Sequence, residues 1–471
     1  MSQITNLLEF ESRYPKLYGI LANGVPVYAS LRDGVNFKLN GKGADNVSSK
    51  EQGRVSFRRI IDSFIKLKKF KNSTTAVFTS SIYRRDSGRN LAAEFLIDKY
   101  PETVIFEWPS RNESFDFAYL KDKLKSRYCP LEYYVIYNKI YIKLHKKEYL
   151  RLCEECREKL EDIFRETDES VSDSYVGAIE YLKEVMPDSY ATNIMNQRVF
   201  KKLFKNYKQL EYAIDFWGSA RENIIPVLKS KPQSIELQHG LINSAHPGYI
   251  YPKFVADLDY DFFKRTILVY GEKTKNMLCD LSIFEPQQLE VVGNPRIKKY
   301  KEEINLDATE KKLILFASQT YEQDGTGSNY YSTVIPVLQK IANFIETDER
   351  FSSYKLGVKL HPRENNSIVE MYQKALPNAQ VFGNTSQLYE LLASSYIQLT
   401  VSSTTLFEAA EFGTPTVLVS YGGVKDIDMF GFSVKTIENE ISVYDELVPL
   451  LENNKYSEYL SYLVDNTNKN L

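Results

Sequence analysis

The sequence is poor in the residues that build metal centres and redox sites. It contains four cysteines, four histidines and two tryptophans among 471 residues. Cys153 and Cys156 form a C-x-x-C, but the surrounding RLCEECREKLEDIF has helical spacing, and no second pair or nearby histidine completes a zinc site. We therefore expect ordinary helical cysteines in a reducing compartment, and no bound metal.

Long apolar runs and an excess of one charge are also missing. No stretch of about 18 consecutive apolar residues occurs, so no transmembrane helix is predicted. The 60 basic and 62 acidic residues nearly cancel, which argues against general nucleic-acid binding. The start, MSQITNLLEFESRYPK, lacks the basic and apolar regions of a signal peptide. We expect a cytoplasmic protein, and peripheral attachment to the inner face of the cell membrane stays open.

The motifs of common nucleotide cofactor sites are absent as well. No G-x-G-x-x-G follows a strand with an acidic residue about 20 positions later, and no Walker A sequence is present. No D-x-D stands in a suitable loop. The sequence therefore predicts neither a Rossmann dehydrogenase nor a P-loop enzyme, and no cofactor.

What the chain does contain is an alternation of short apolar strands with helices. AVFTSS (76–81), TVIFEWPS (103–110), RTILVYGE (265–272) and KKLILFASQ (311–319) are typical of strands in parallel sheets. A chain of 471 residues exceeds one hydrophobic core. We predict an α/β fold with an N-terminal domain at 1–300, carrying a helical insertion at about 144–210, and a C-terminal domain at 301–471.

Three of the four histidines follow predicted strands, namely His239 in LQHG, His246 in SAHPG and His361 in KLHPRE. Ligands of open parallel sheets bind at the carboxyl ends of strands. Pro362 ends the strand before it and stiffens the loop, and Arg363 adds positive charge. The His361 loop is therefore predicted to contact a phosphate.

A second phosphate-binding segment is predicted in LTVSSTTLFEAAEFGTPTVLV (399–419). Ser402 or Ser403 can serve as the N-cap of a helix that runs to Glu411 and stops at Gly413. Free backbone N–H groups and the helix dipole favour an anion at such an end.

The hydroxyls at this helix start can add hydrogen-bond donors to a phosphate. The candidates are Ser402, Ser403, Thr404 and Thr405. Glu408 lies one turn further along, about where a ribose hydroxyl would lie if the phosphate sits at the cap.

A strand ending in His-Pro, followed by a strand ending in Ser/Thr before F-E-A-x-x-x-G-T-P, resembles the C-terminal half of GT-B glycosyltransferases. The likeness spans roughly residues 311–425. It is strongest to bacterial surface-polysaccharide enzymes: sialyltransferases and polysialyltransferases, capsule Kdo transferases and teichoic-acid polyol-phosphate transferases. The resemblance implies two Rossmann-like domains facing a central cleft. It also implies that the His361 loop and the Ser/Thr cluster hold the nucleotide phosphate of the donor.

Two further segments are candidates for the same cleft. Gln238, His239 and Gly240 form a Q-H-G similar to those of capsule-type transferases, in which His239 could act as general base or neutralise the leaving phosphate. The turn at His246 lies nearby in the sequence. Arg296, in the GNPR turn near the domain boundary, could contact a phosphate.

The acceptor side offers two carboxylates as alternative bases. Asp86 lies in the loop SSIYRRDSGRN, whose arginines could bind a phosphate or carboxylate of the acceptor. Glu107 follows the next strand. The sequence leaves open which of Asp86, Glu107 and His239 is the base.

The resemblance implies a glycosyltransferase that moves a sugar from a nucleotide-activated donor, CMP-linked by preference, to a hydroxyl of a surface glycan. The acceptor would be a capsular, lipopolysaccharide or lipid-linked oligosaccharide, and the reaction inverting and metal-independent. Three alternatives remain open: a nucleotide-sugar 2-epimerase, a CDP-polyol phosphotransferase and a non-catalytic GT-B-like scaffold.

Overall fold

The structure is a computed structural model. It describes residues 3–40, 57–80, 90–100, 102–109, 127–165, 173–216, 228, 230–238, 240, 242–302, 311–322, 329–365, 367–383, 388–401, 403–421 and 434–470.

The chain divides into two compact units. The first consists of Met1–Arg84 and Ala92–Val292, and the second of Arg85–Leu91 and Gly293–Leu471. Each unit has its own parallel β-sheet with helices packed on it. The predicted α/β class with two Rossmann-like units is therefore confirmed.

A small hairpin follows the first helix of the first unit. Strands β1 (Leu21–Ala22) and β2 (Val25–Pro26) pair antiparallel across Asn23 and Gly24. Both turn residues have positive φ, 50° and 88°. Asn and Gly tolerate this conformation, which is why Asn-Gly predicts a two-residue hairpin turn.

The large sheet of the first unit has seven parallel strands. Their bounds are β3 Thr75–Ser80, β4 Thr103–Trp108, β5 Tyr128–Pro130, β6 Tyr212–Phe216, β7 Gln233–Leu237, β8 Thr266–Val269 and β9 Leu289–Val291. They lie in the order β5-β4-β3-β6-β7-β8-β9. Phe78 of β3 pairs with Phe106 of β4, and their rings stack 5.1 Å apart. Strands covered on both faces bury successive side chains, which explains their continuous apolar runs.

Eight α-helices lie before Gly293 in the described part of the chain. They are α1 Gln3–Arg13, α2 Arg32–Leu39, α3 Phe57–Lys69, α4 Leu91–Lys99, α5 Glu132–Leu144, α6 Lys146–Arg165, α7 Asp173–Leu203 and α8 Glu272–Leu281. The consecutive helices α5, α6 and α7 form the predicted helical insertion. The insertion begins at Glu132 and not at about 144. The prediction lacks α5 because this helix is rich in apolar residues, whereas the predicted pattern is a charged one. Cys153 and Cys156 lie buried on α6, so the helical interpretation of the C-x-x-C is confirmed.

The sheet of the second unit has six parallel strands. Their bounds are β10 Leu313–Ala317, β11 Lys355–Lys359, β12 Gln380–Phe382, β13 Ser395–Thr400, β14 Thr416–Val419 and β15 Thr436–Ile437. They lie in the order β12-β11-β10-β13-β14-β15. β11 and β13 thus flank β10, and the loops after these three strands leave the sheet at one edge.

Seven helices complete the described part of the second unit. They are α9 Pro295–Lys301, α10 Tyr330–Thr347, α11 Ser367–Ala375, α12 Leu388–Ser394, α13 Thr405–Glu411, α14 Val443–Leu451 and α15 Tyr456–Asn470. Across the described ranges of both units, no helix combines the length and the apolar character that crossing a membrane requires.

The carboxyl end of α13 is held by a half-buried lysine. The Lys311 ammonium donates to the carbonyl oxygens of Phe412 and Gly413, both at 2.7 Å, and to Thr414 Oγ1 at 3.2 Å. Gly413 has φ +64°, the left-handed conformation expected after a helix end. Burial lowers the pKa of Lys311 from 10.5 to about 8.

This lowered pKa predicts a pH-dependent stability. Between pH 8 and 10.5 the folded chain has released a proton that the unfolded chain still binds, so stability rises with pH. Relative to Lys311→Met, the wild type should gain roughly 1–3 kcal/mol across this window. Calorimetric unfolding at several pH values measures the difference, with exposed Lys312→Met as the matched control. A difference that stays constant with pH would contradict the prediction.

Candidate functional site

Three adjacent strand ends of the second unit carry the polar residues of the candidate site. β11 leads to His361, β13 leads to Ser403, and the central β10 leads to Ser318, Gln319 and Thr320. Ligands of open parallel sheets bind at this edge. The β10 segment is not among the site residues predicted from the sequence. It lies between the other two loops because β10 lies between β11 and β13, and this strand order cannot be derived from the sequence.

A buried carboxylate organises the His361 loop. Glu364 is 1% exposed. Its Oε2 accepts the His361 backbone N–H at 2.5 Å, and its Oε1 accepts the hydroxyls of Ser318 at 2.8 Å and Tyr331 at 2.9 Å. Burial raises the pKa of Glu364, while these donors favour the charged form. Glu364 therefore joins the loop after β11 to the loop after β10 and to α10.

The His361 ring is oriented by its own loop. Its Nδ1 accepts the Arg363 backbone N–H at 3.2 Å. A neutral imidazole that accepts at Nδ1 carries its proton on Nε2, so Nε2 is a hydrogen-bond donor. The ring is half-buried and Pro362 is exposed. This arrangement suits contact with a phosphate oxygen, and that role remains a prediction.

Arg363 extends the loop toward the end of β10. Its exposed guanidinium donates from Nη2 to Thr320 Oγ1 at 3.0 Å. The five N–H donors of a guanidinium suit a phosphate, and one of them is engaged by Thr320.

The helix after β13, α13, begins at Thr405, one or two residues later than predicted. Thr404 before it has a helical backbone and makes no side-chain capping hydrogen bond. Ser403 Oγ accepts the Thr405 backbone N–H at 3.3 Å, the bond by which a side chain caps a helix start, and this supports the predicted capping role of Ser403. The predicted end at Glu411 is confirmed. Ser402 lies outside the described residues.

Thr405 and Glu408, both predicted to contact the donor, are hydrogen-bonded to residues of their own unit. Gln398 Nε2 donates to Thr405 Oγ1, and Thr416 Oγ1 donates to Gln398 Oε1 at 3.0 Å. Half-buried Glu408 accepts the Tyr389 hydroxyl at 3.0 Å. Ser403 and exposed Thr404 are thus the described hydroxyls best placed to meet a ligand.

In the first unit, Gln238 is a positioning residue. Its Nε2 donates to the Gly240 carbonyl oxygen at 2.7 Å, and its Oε1 accepts the Tyr270 backbone N–H at 2.7 Å. Both ends of this buried amide are used, so it fixes the loop after β7. His239, between Gln238 and Gly240, lies outside the described residues.

His246 lies in a half-buried turn. Its Nδ1 accepts the Gly248 backbone N–H at 3.1 Å, and its ring meets that of Tyr249 edge-on at 4.9 Å. Burial lowers the pKa of His246, although Asp33 and Glu236 raise it. Burial thus favours the neutral imidazole at this turn.

Glu107 lies within β4, one residue before its end and not after the strand as predicted, in a buried cluster. It is 1% exposed and lies 3.6 Å from the Arg59 guanidinium, which also pairs with buried Glu132. Burial raises the pKa of Glu132. An ion-paired, buried carboxylate must rearrange before it can reach an acceptor hydroxyl. The rival base Asp86 lies outside the described residues.

Arg296 lies in the first turn of α9. Its backbone N–H donates to Asn294 Oδ1 at 3.1 Å, and this hydrogen bond caps α9. Gly293, the residue before Asn294, has φ +74°.

Among the described residues of both units, no cluster of three or more histidine, cysteine, aspartate or glutamate side chains could hold a metal ion.

No family model and no curated protein matches the chain in sequence. Among solved structures it is similar to a UDP-GlcNAc 2-epimerase from Neisseria meningitidis bound to UDP-GlcNAc, with 12% identity over 84% of this chain and 95% of that chain and a TM-score of 0.45. A glycosyltransferase from Rickettsia africae has 11% identity, coverages of 85% and 95%, and a TM-score of 0.43. The wall teichoic acid polymerase TagF has 12% identity, coverages of 87% and 92%, and a TM-score of 0.42. Likenesses this distant assign no activity to the chain.

Proposed function

We propose that the second unit binds the nucleotide phosphate of an activated sugar and that the chain is a glycosyltransferase. The observation that carries the proposal is the meeting of three loops at the carboxyl edge of β11, β10 and β13. Glu364 fixes two of these loops to each other, so the donors are held in place before a ligand arrives.

The chemistry follows from the groups at this edge. His361 Nε2–H, the Arg363 guanidinium and the Ser403 and Thr404 hydroxyls are all donors, and phosphate oxygens are acceptors. In the transfer, the bond between the sugar and the phosphate oxygen breaks and negative charge grows on the departing phosphate. Donors fixed in advance stabilise that charge, and this needs no metal ion.

The acceptor side of the proposal rests on the sequence. A base removes the proton of the glycan hydroxyl that attacks the sugar. Of the three candidates we rank Glu107 last, because it is buried and paired with Arg59. Asp86 and His239 remain the preferred bases, and an inverting transfer from a CMP-linked sugar to a bacterial surface glycan is the preferred reaction.

A nucleotide screen tests the donor site. We expect one of CMP, UDP, GDP and CDP to raise the melting temperature by about 5–10 °C at roughly 100-fold excess over Kd. His361→Ala, Arg363→Ala and Ser403→Ala should each weaken binding about 10- to 100-fold, since each removes a donor to a charged group. Lys374→Ala, an exposed charge on α11, is the matched control. Unchanged affinity in all three site variants would refute the assignment.

The nucleotide screen and an analysis of reaction products together distinguish the alternative functions. In the screen, stabilisation by CMP points to a sialic acid or Kdo donor, and stabilisation by CDP points to a polyol phosphate donor. Conversion of UDP-GlcNAc to its 2-epimer without an acceptor would identify an epimerase instead. Absence of binding across all four nucleotides would favour a non-catalytic scaffold.

A further inference from the structure

Exposed apolar side chains concentrate on two neighbouring helices of the first unit. On α3, Ile61, Phe64 and Ile65 are 46%, 40% and 57% exposed. On α5, Ile140 and Leu144 are 52% and 77% exposed. Their spacing places each set on one face of its helix. Isolated exposed apolar residues need no explanation, but a clustered set marks an interaction surface.

The two sets join into one surface through aromatic rings. The Phe64 ring of α3 lies 5.1 Å from the Tyr133 ring of α5, and Tyr133 stacks on Tyr137 at 6.0 Å. Tyr133 and Tyr137 are only half-buried. We call this continuous patch the α3–α5 face. Tyrosine, with an apolar ring and a polar hydroxyl, suits a boundary between apolar and aqueous layers.

The α3–α5 face is strongly basic, unlike the chain as a whole. Together α3 and α5 contain seven lysines and arginines against two carboxylates, whereas the whole chain has 60 basic and 62 acidic residues. Glu132 is buried, and Asp62 pairs with Lys66 at 2.8 Å. Lys68, Lys69, Lys139 and Lys143 are all exposed. The exposed charge beside the apolar face is therefore positive.

We propose that the α3–α5 face docks on an anionic phospholipid surface. The isoleucine, leucine and phenylalanine side chains would enter the boundary between headgroups and acyl chains, while the lysines meet the lipid phosphates. A second copy of this chain is a poorer occupant, because it would bring two lysine-rich surfaces together. The inference stands on these helices alone and does not depend on the proposed function.

Vesicle sedimentation of the full chain tests the proposal. We expect binding to mixed phosphatidylcholine–phosphatidylglycerol vesicles and at least about tenfold weaker binding to phosphatidylcholine alone. The double variant Lys68→Glu/Lys69→Glu should lose at least about tenfold in affinity for the anionic vesicles, at about one kcal/mol per lysine before the added repulsion. Ile65→Glu and Ile140→Glu should each weaken binding by a similar factor, because both put a charge into the apolar layer.

The matched control is Ile441→Glu, which changes an 80% exposed isoleucine of the second unit. It should bind vesicles like the wild type, and circular dichroism should show that every variant is folded. Three results would overturn the proposal. They are equal binding to neutral and anionic vesicles, equal losses for Ile441→Glu and Ile65→Glu, or a wild-type dimer that Ile65→Glu dissociates while lipid binding persists.

Discussion

Glu364→Leu is expected to abolish nucleotide-dependent stabilisation and to destabilise the second unit by roughly 3–5 kcal/mol. Three donors, the His361 backbone N–H and the hydroxyls of Ser318 and Tyr331, lose their acceptor in a buried place. Each buried donor left without a partner costs about 1–3 kcal/mol. The Ser318 hydroxyl can turn to the Tyr372 hydroxyl, 3.1 Å away, so the expected loss lies in the lower part of the sum. The loop that carries His361 would also lose its tie to β10. Calorimetric unfolding with and without nucleotide measures both effects.

Glu370→Leu is the matched control, since it makes the same change at an exposed position of α11. It should alter stability by less than about 0.5 kcal/mol and leave nucleotide binding intact. If Glu364→Leu behaves like Glu370→Leu, the buried carboxylate does not organise the site. If it destabilises the unit but binds nucleotide at wild-type affinity, the His361 loop is not part of the phosphate site.

Arg32→Met should destabilise the first unit by roughly 3–5 kcal/mol, the cost of leaving a buried charge without its partner. The Arg32 guanidinium is 1% exposed and donates to Glu11 Oε1 at 2.6 Å and Oε2 at 2.9 Å. It also donates to the carbonyl oxygens of Pro247 and, at 2.7 Å, Ile250. It thus joins α1 and α2 to the turn that carries His246.

Two further variants compare the stability contribution of the buried Arg32–Glu11 pair with that of an exposed ion pair. Arg157→Met breaks an exposed pair with Glu154 and should cost less than about 1 kcal/mol. The double variant Glu11→Leu/Arg32→Met should be more stable than Arg32→Met, because it removes the orphaned carboxylate. Thermal unfolding of the four proteins tests both expectations. Equal costs for Arg32→Met and Arg157→Met would show that the buried pair contributes no more than a surface one.

Much of the fold follows from local sequence patterns. The central strands of both sheets are buried on both faces, so their apolar runs are continuous and visible in the sequence. Asn23-Gly24 and Gly413 mark a hairpin turn and a helix end because their backbones have positive φ. α5 as a whole is not predicted, since its apolar residues hide the charged pattern that reveals α6 and α7.

The candidate site could be predicted only in part. His361 and the Ser/Thr cluster are visible because polar residues directly follow apolar strands. The role of Glu364 is not visible in the sequence, because a glutamate in a polar loop is usually solvated. Its buried hydrogen bonds are made with Ser318 and Tyr331, which are distant in the chain. Gln238 is a predicted cleft residue, but the sequence does not show that its amide holds Gly240 and Tyr270. Such contacts follow from tertiary packing rather than from residue type.

A crystal structure of the protein with the nucleotide that the screen identifies would show where the phosphate binds. We predict a phosphate group at the carboxyl edge of β11, β10 and β13, with an oxygen within about 3.2 Å of His361 Nε2. A second oxygen should accept from the Arg363 guanidinium or from the Ser403 hydroxyl. A nucleotide bound elsewhere on the chain, with no contact to these residues, would contradict this prediction.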